Sequence, residues 1–165
     1  MKIYPAIDLN KGRCVRLQQG EAALETVFYE DPGEPAGLWK DAGAEWVHVV
    51  DLQGAFEGTP RNKMAISRIL DAGMQVQVGG GIRGVEIVKE YLKLGVSRVI
   101  IGTRACEDPE FIRHLVAEFG DQIVVGIDAK NGMVRTKGWV EESNLAVADM
   151  VEVMNEIGVS TIIYT

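Results

Sequence analysis

Six short apolar runs alternate with amphipathic stretches along the chain. The runs fall at about 2–8, 46–51, 75–79, 97–102, 123–128 and 160–165 and are rich in Val and Ile. Both faces of each run are apolar, which is the pattern of parallel strands covered by helices. The stretches between them carry apolar residues at helical spacing and predict helices at about 33–42, 61–72, 84–94, 108–119 and 144–157. Gly43, Gly73, Gly95, Gly120 and Gly158 stand where these helices give way to strands, and glycine just past the last turn is a usual helix stop. One unit is reused. Gly43-Ala44-Glu45-Trp46-Val47-His48-Val49-Val50 is echoed at Gly95 to Ile101 and again at Gly158 to Tyr164. This predicts an α/β fold of the (β/α)8 TIM-barrel type rather than an open doubly wound sheet. Residues 1–165 form one domain in this reading, incomplete, with about six βα units.

A larger repeat bears on function. Ile7-Asp8-x-x-x-Gly12-x-x-Val15-Arg16 recurs as Ile127-Asp128-x-x-x-Gly132-x-Val134-Arg135, 120 residues further on. Each copy is an apolar run, one aspartate and a glycine turn. A repeat on this scale bears on the whole architecture, and here it implies two related halves, each offering a carboxylate at a strand end. Chemistry in such a barrel sits at the C-terminal ends of the strands. Asp8, Asp51, Gly79 to Gly81, Gly102, Thr103, Asp128 and Thr165 all fall there. Two carboxylates facing each other across a pseudo-twofold axis suit acid/base isomerisation, which needs groups in different protonation states on opposite sides of a substrate. The structural alternative is that Asp8 and Asp128 each cap their own loop through backbone amides.

Composition narrows the partners. The net charge of -7 disfavours a nucleic-acid surface and an anionic membrane. No apolar run reaches the roughly 20 residues of a membrane span, and no targeting signal precedes the first strand, so a cytoplasmic protein is expected. Cys14 and Cys106 are too few for a disulfide framework and lack metal-ligand spacing. The glycines have no dinucleotide or P-loop spacing, and no His and Cys cluster suits zinc. Neither a metal nor an organic cofactor is expected.

A phosphate site needs no net positive charge, because backbone amides can build one. Gly79-Gly80-Gly81-Ile82-Arg83 follows a strand and opens a helix, and Gly102-Thr103 closes the next strand. Adjacent loops of this kind could cradle one phosphate; a tight turn alone is the plainer alternative. Asp51 either orients a catalytic partner or caps the loop 52–60. Arg16, in a long first loop with Lys11 and Arg13, either binds an anionic group or is solvated. His48 reads as a packed core residue and His114 as a surface one. Trp139 follows the second aspartate loop and could stack on a flat ring or pack on the rim. Trp39 and Trp46 read as helix–sheet packing.

Together these motifs resemble one family over the whole chain. Pro5-Ala6-Ile7-Asp8-Leu9, Gly12-x-x-Val15-Arg16-Leu17-x-Gln19-Gly20, His48-Val49-Val50-Asp51-Leu52 and Gly79-Gly80-Gly81-Ile82-Arg83 are similar to those of the phosphoribosylformimino-5-aminoimidazole carboxamide ribotide isomerases of histidine biosynthesis. Gly102-Thr103, Val125-Gly126-Ile127-Asp128, Gly138-Trp139 and Ile162-Ile163-Tyr164-Thr165 extend the match. The resemblance implies a (β/α)8 barrel that turns an aminoaldose into an aminoketose by an Amadori rearrangement of a bisphosphate substrate, without metal or cofactor. Carried over, Asp8 matches the general base, Asp128 the general acid and Thr165 an assisting hydroxyl. Gly80, Gly81, Gly102 and Thr103 match part of the phosphate set, and Trp139 a loop residue that covers substrate. Arg16, Asp51 and Arg83 complete the expected substrate contacts.

The resemblance also implies a seventh and an eighth strand and a second phosphate site beyond Thr165. A truncated piece is therefore expected, inactive unless complemented, with open strand edges through which it could self-associate. Three other readings stand beside the isomerase. One is the cyclase subunit of imidazole glycerol phosphate synthase. Another is a dual-substrate isomerase that also serves tryptophan synthesis; Lys137 before Gly138-Trp139 leans away from it. The third is a non-catalytic self-associating fragment.

Overall fold

The computed structural model describes residues 1–18, 21–136 and 141–165. Strand β1 (Ala6–Asn10) opens the sheet and continues into a hairpin with β2 (Arg13–Gln18) and β3 (Glu21–Tyr29). There follow α1 (Gly33–Asp41), β4 (Trp46–Asp51), α2 (Leu52–Glu57), α3 (Lys63–Asp71), β5 (Gln75–Gly79), α4 (Val85–Leu94), β6 (Arg98–Ile101), α5 (Thr103–Glu107) and α6 (Pro109–Phe119). The chain closes with β7 (Ile123–Lys130), β8 (Met133–Thr136), β9 (Glu141–Ala146), α7 (Val147–Ile157) and β10 (Ile162–Tyr164). The strands β1, β4, β5, β6, β7 and β10 lie parallel in that order. This is the partial TIM barrel that the apolar runs predict, with six parallel strands joined mostly by helical crossovers.

Burial sorts the strand residues by face. Ile7, Val47, Val49, Val76, Val78, Val99, Ile101, Ile123, Val125 and Ile127 are at most 3% exposed. They belong to one buried cluster with Ile66 and Ile69 of α3, Val88 and Tyr91 of α4, Ile112 and Leu115 of α6, and Met150 and Met154 of α7. Each fully buried side chain of this size contributes roughly 1.5–3 kcal/mol, so the fold is held from the helix side. The alternate residues turn the other way. Ala6, His48, Gln77 and Arg98 stand in one register row, and Asp8, Val50, Gly79, Ile100 and Val124 in the next. The inner rows mix small and polar residues, Ala6, Asp8, His48, Gln77 and Gly79, with Val50, Ile100 and Val124.

The two aspartate segments match more closely in space than in sequence. In the first hairpin Asp8 pairs with Val15, Leu9 with Cys14 and Asn10 with Arg13. In the second, Asp128 pairs with Arg135, Ala129 with Val134 and Lys130 with Met133. Every one of these pairs maps onto its counterpart by the same 120-residue shift. The turns match too: Lys11 and Gly12 have φ of 49° and 80°, Asn131 and Gly132 of 54° and 79°. Two successive residues with positive φ make the tight turn whose twist suits a hairpin.

Several expectations are corrected. The first strand starts at Ala6, not residue 2, and the sixth runs 162–164, not 160–165. Asp8 and Asp128 do not end their strands; each sits where parallel barrel pairing hands over to an antiparallel hairpin. Arg16 lies on β2, not in a loop, and the register equates Arg135 with Val15 rather than Arg16. Val147, not residue 144, begins α7, because 141–146 form β9. The loop 52–60 contains α2, and α5 was not anticipated. The first strand is no free edge over Asp8 and Leu9, which pair with β2 on one side and β4 on the other. The helix stops hold: Gly43, Gly73, Gly95, Gly120 and Gly158 all have positive φ. Trp46 is buried, with Arg98 stacked 4.5 Å from its ring centre, but Trp39 is 43% exposed. His114 is at the surface beside Glu118. Among the described residues no helix is long and apolar enough to cross a membrane.

Candidate active site at the strand ends

A cavity of ≈ 490 Å³ opens at the C-terminal ends of the parallel strands. Its floor follows from the inner rows. A Cβ added to Gly79 would lie 3.3 Å from Ile100 Cβ, and one added to Gly126 would lie 3.2 Å from Ile100 Cγ2. Ile100 therefore fills the space that two glycines leave on either side. Above it the cavity is lined by Asp8, Asp128, Thr165, Gly80, Gly81, Arg83, Gly102 and Thr103. One cavity thus gathers eight of the eleven residues singled out as site candidates. The other three lie elsewhere. Asp51 is wholly buried beneath the rim, Arg16 is exposed in a second groove that shares Asp8, and Trp139 falls outside the described residues.

The two carboxylates differ in setting. Burial pushes the Asp8 carboxyl above the ordinary carboxylate range, and the Arg16 charge offsets part of that rise. Asp128 receives the hydroxyl of Thr165, whose Oγ1 donates to Oδ1 at 2.5 Å. Thr165 is itself held by β7: its amide donates to Ile127 O at 3.1 Å and its carbonyl accepts from Ala129 N at 2.9 Å. A backbone clamp therefore aims the hydroxyl, and the hydroxyl fixes the carboxyl.

Asp8 carries a stability consequence with a definite sign. Its folded-state pKa lies above the unfolded value near 3.8, so ionisation costs more in the folded protein. The cost is absent at pH 3 and is fully present above the folded pKa. Asp8→Asn should therefore raise the Tm at pH 7 and leave it nearly unchanged at pH 3, as read by calorimetry at both pH values.

His48 faces the cavity rather than the helix layer. Gln77 Nε2 donates to its Nδ1 at 3.0 Å, and burial lowers its pKa. It is a neutral imidazole with its tautomer set by a neighbouring amide.

The glycine loops are shaped by close approach. Gly80 has a φ of +116°, and a Cβ there would sit 2.2 Å from Asp51 O; at Gly81 it would sit 2.4 Å from Gly54 O. Neither can be relieved by a side chain turning away, since the obstacle is backbone. The loops lead to the N-termini of α4 and α5, where Gly84 and Gly102 make no side-chain cap bond. The dipole at the N-terminus of α4 favours an anion there. Arg83 and Arg104 add positive charge on the same wall. Arg104 ties the loops together, donating to Arg83 O and, at 3.2 Å, to Asp108. Gly80→Ala should lower stability by about 3 kcal/mol, from strain and overpacking together. Urea unfolding monitored by circular dichroism would measure it.

Asp51 takes the capping role of its two readings. Its carboxylate accepts from Gly54 N at 2.7 Å, Arg61 N at 2.7 Å, Asn62 N at 3.0 Å and Asn62 Nδ2 at 2.6 Å. Asn62 in turn accepts from Gly12 N at 2.7 Å, so one buried pair joins the first hairpin turn to the rim. Sequence reasoning missed Asn62, Arg104 and the α2 face of Leu52, Ala55 and Phe56. An aspartate three residues before a buried glycine amide was the available signal for α2.

Comparison with known proteins adds the following. The profile of a family described as "Histidine biosynthesis protein" matches residues 2–165. A protein of Opitutus terrae is 52% identical over 165 residues, covering all of this chain and 68% of the relative. One from Trichlorobacter lovleyi is 50% identical, again covering all of this chain and 68% of its own length. One from Synechocystis sp. is 51% identical and is covered to 65%. Each is named a 1-(5-phosphoribosyl)-5-((5-phosphoribosylamino)methylideneamino)imidazole-4-carboxamide isomerase. The chain thus spans about two thirds of the length of these relatives.

Proposed function

The chain belongs to the family of histidine biosynthesis proteins, and on that premise we propose that it rearranges an aminoaldose to an aminoketose with Asp8 and Asp128 as its paired acid and base. As an isomerase of histidine biosynthesis it follows its relatives. The finer reading rests on one observation above all. Two aspartates related by the 120-residue shift stand at the same register position of matching hairpins and line one cavity.

The reaction begins with two proton transfers, and the tautomerisation after them adds a proton at C1 and removes one from the 2-hydroxyl. An acid protonates the ring oxygen of the aminoaldose ribose, and the ring opens to a Schiff base. A base then removes the C2 proton, and the enolamine tautomerises to the ketose. The substrate must therefore meet carboxyl groups on two sides. Asp8 is the base in this account, the role that the family resemblance gives it, with burial and the neighbouring Arg16 charge setting its carboxyl. Asp128 is the acid, with Oδ1 held by Thr165 and Oδ2 left to exchange the proton. The loops at Gly80, Gly81, Gly102 and Thr103 receive one phosphate, with Arg83 beside them.

Incubating the purified protein with the aminoaldose and following the sugar carbons by NMR tests this reading. Ketose signals appearing only with protein support it. Unchanged aldose, with the ligand demonstrably bound, would contradict it.

A further inference from the structure

The segment that follows β4 is closed on a single carboxylate. Asp51 accepts from Gly54 at its front and from Arg61 and Asn62 at its back, so residues 52–62 form a strap tied at both ends. The strap is also seated against the glycine loop, for Gly81 leaves no room for a Cβ beside Gly54 O. A short helix of six residues has little stability of its own; here tertiary ties hold it.

Phe56 is the residue on the strap that folding alone leaves unexplained. It lines the cavity yet is 55% exposed. A phenyl ring left open to water forgoes much of its burial energy, and the ties at Asp51 hold its backbone at the cavity wall. Leu52 and Ala55 of the same helix, with Leu17 and Ile82, extend the apolar surface around it. Arg83 and the glycine loops adjoin it. An apolar wall beside an anion cradle suits a ligand with a flat ring at one end and a phosphate at the other.

We propose that Phe56 is a specificity-determining residue, the face on which the imidazole ring of the substrate packs while the phosphate of the attached ribose sits in the glycine loops. This rests on the isomerase reading above. The substrate named for the relatives joins an imidazole-4-carboxamide to phosphoribosyl groups, which supplies both ends. A flat uncharged heteroaromatic ring gains by offset stacking and by leaving water, and neither gain needs a charged partner.

The test pairs two ligands that share a phosphate and differ in the ring. 5-Aminoimidazole-4-carboxamide ribotide carries it, and ribose 5-phosphate does not. Both are titrated by calorimetry into the wild-type protein, Phe56→Ala and Phe56→Trp. Phe56→Ala should weaken the ribotide about tenfold and leave ribose 5-phosphate unchanged, while Phe56→Trp restores ribotide binding. The exposed position predicts an unaltered Tm for both variants. Equal effects on the two ligands, or none on either, would overturn the assignment alone. Failure of the wild-type protein to bind either ligand would overturn the isomerase reading and this assignment with it.

Discussion

Asp8→Asn and Asp128→Asn should each slow isomerisation by about 10²–10⁴-fold while the protein stays folded. Asparagine keeps the shape of the carboxyl and cannot carry its proton. Asp128→Asn still accepts the Thr165 hydroxyl, so the clamp at 2.5 Å survives and the loss reports chemistry rather than collapse. Asp8→Asn removes a carboxyl that burial already disfavours in its charged form, so its loss of rate should come with a gain in stability at neutral pH. That opposition is the signature of a residue kept for function. The pH profile adds a second check. If Asp8 is the base, kcat/KM falls as Asp8 is protonated, and because its pKa is raised this acidic limb should lie above that of an ordinary carboxylate. Steady-state kinetics across pH would show the limb, and the residual turnover of Asp8→Asn should lack it.

The largest expected effect on stability is at Asp51. Asp51→Ala strands three backbone amides and the Asn62 side-chain amide, which now bond to one buried carboxylate. Each buried donor left unpaired costs about 1–3 kcal/mol, so a loss of at least about 3 kcal/mol is expected in urea unfolding. Asp51→Asn should recover little of it, because its amide group points a donor at other donors. Substrate affinity should fall as well, since the Gly80 backbone rests on Asp51 O and the strap rests on Gly81. If Asp51 instead touched substrate directly, Asp51→Asn would lower turnover with stability intact.

The parts legible from sequence were those with a long period. Strands such as Val47 to Val50 and Val99 to Ile101 announce themselves by their runs of Val and Ile, and helix ends by Gly43 or Gly95. The hairpins were missed because their signal is local. Arg13 to Gln18 mixes polar and apolar residues with Cys14 and Val15 adjacent and both buried, so the alternation is broken, and Lys11-Gly12 and Asn131-Gly132 supply the turns. Read as a loop, that stretch put Arg16 in line with Arg135; the register moves the match to Val15. Helix α2 was hidden for another reason. Six residues with Gly54 in the middle have weak helix propensity, and only the Asp51 network forms them into a helix. The site residues on strand ends could be read by position. Phe56 and Arg104, which need α2 and α5 to be placed, could not.

Release of deuterium from C2 of the labelled aminoaldose into solvent, compared for the wild-type protein, Asp8→Asn and Asp128→Asn, reads the proton removal itself. On the proposed mechanism the wild-type protein releases it, and each variant releases it about 10²–10⁴-fold more slowly with ligand still bound. Release undiminished in Asp8→Asn and Asp128→Asn alike would contradict it, for the proton would then leave without either aspartate.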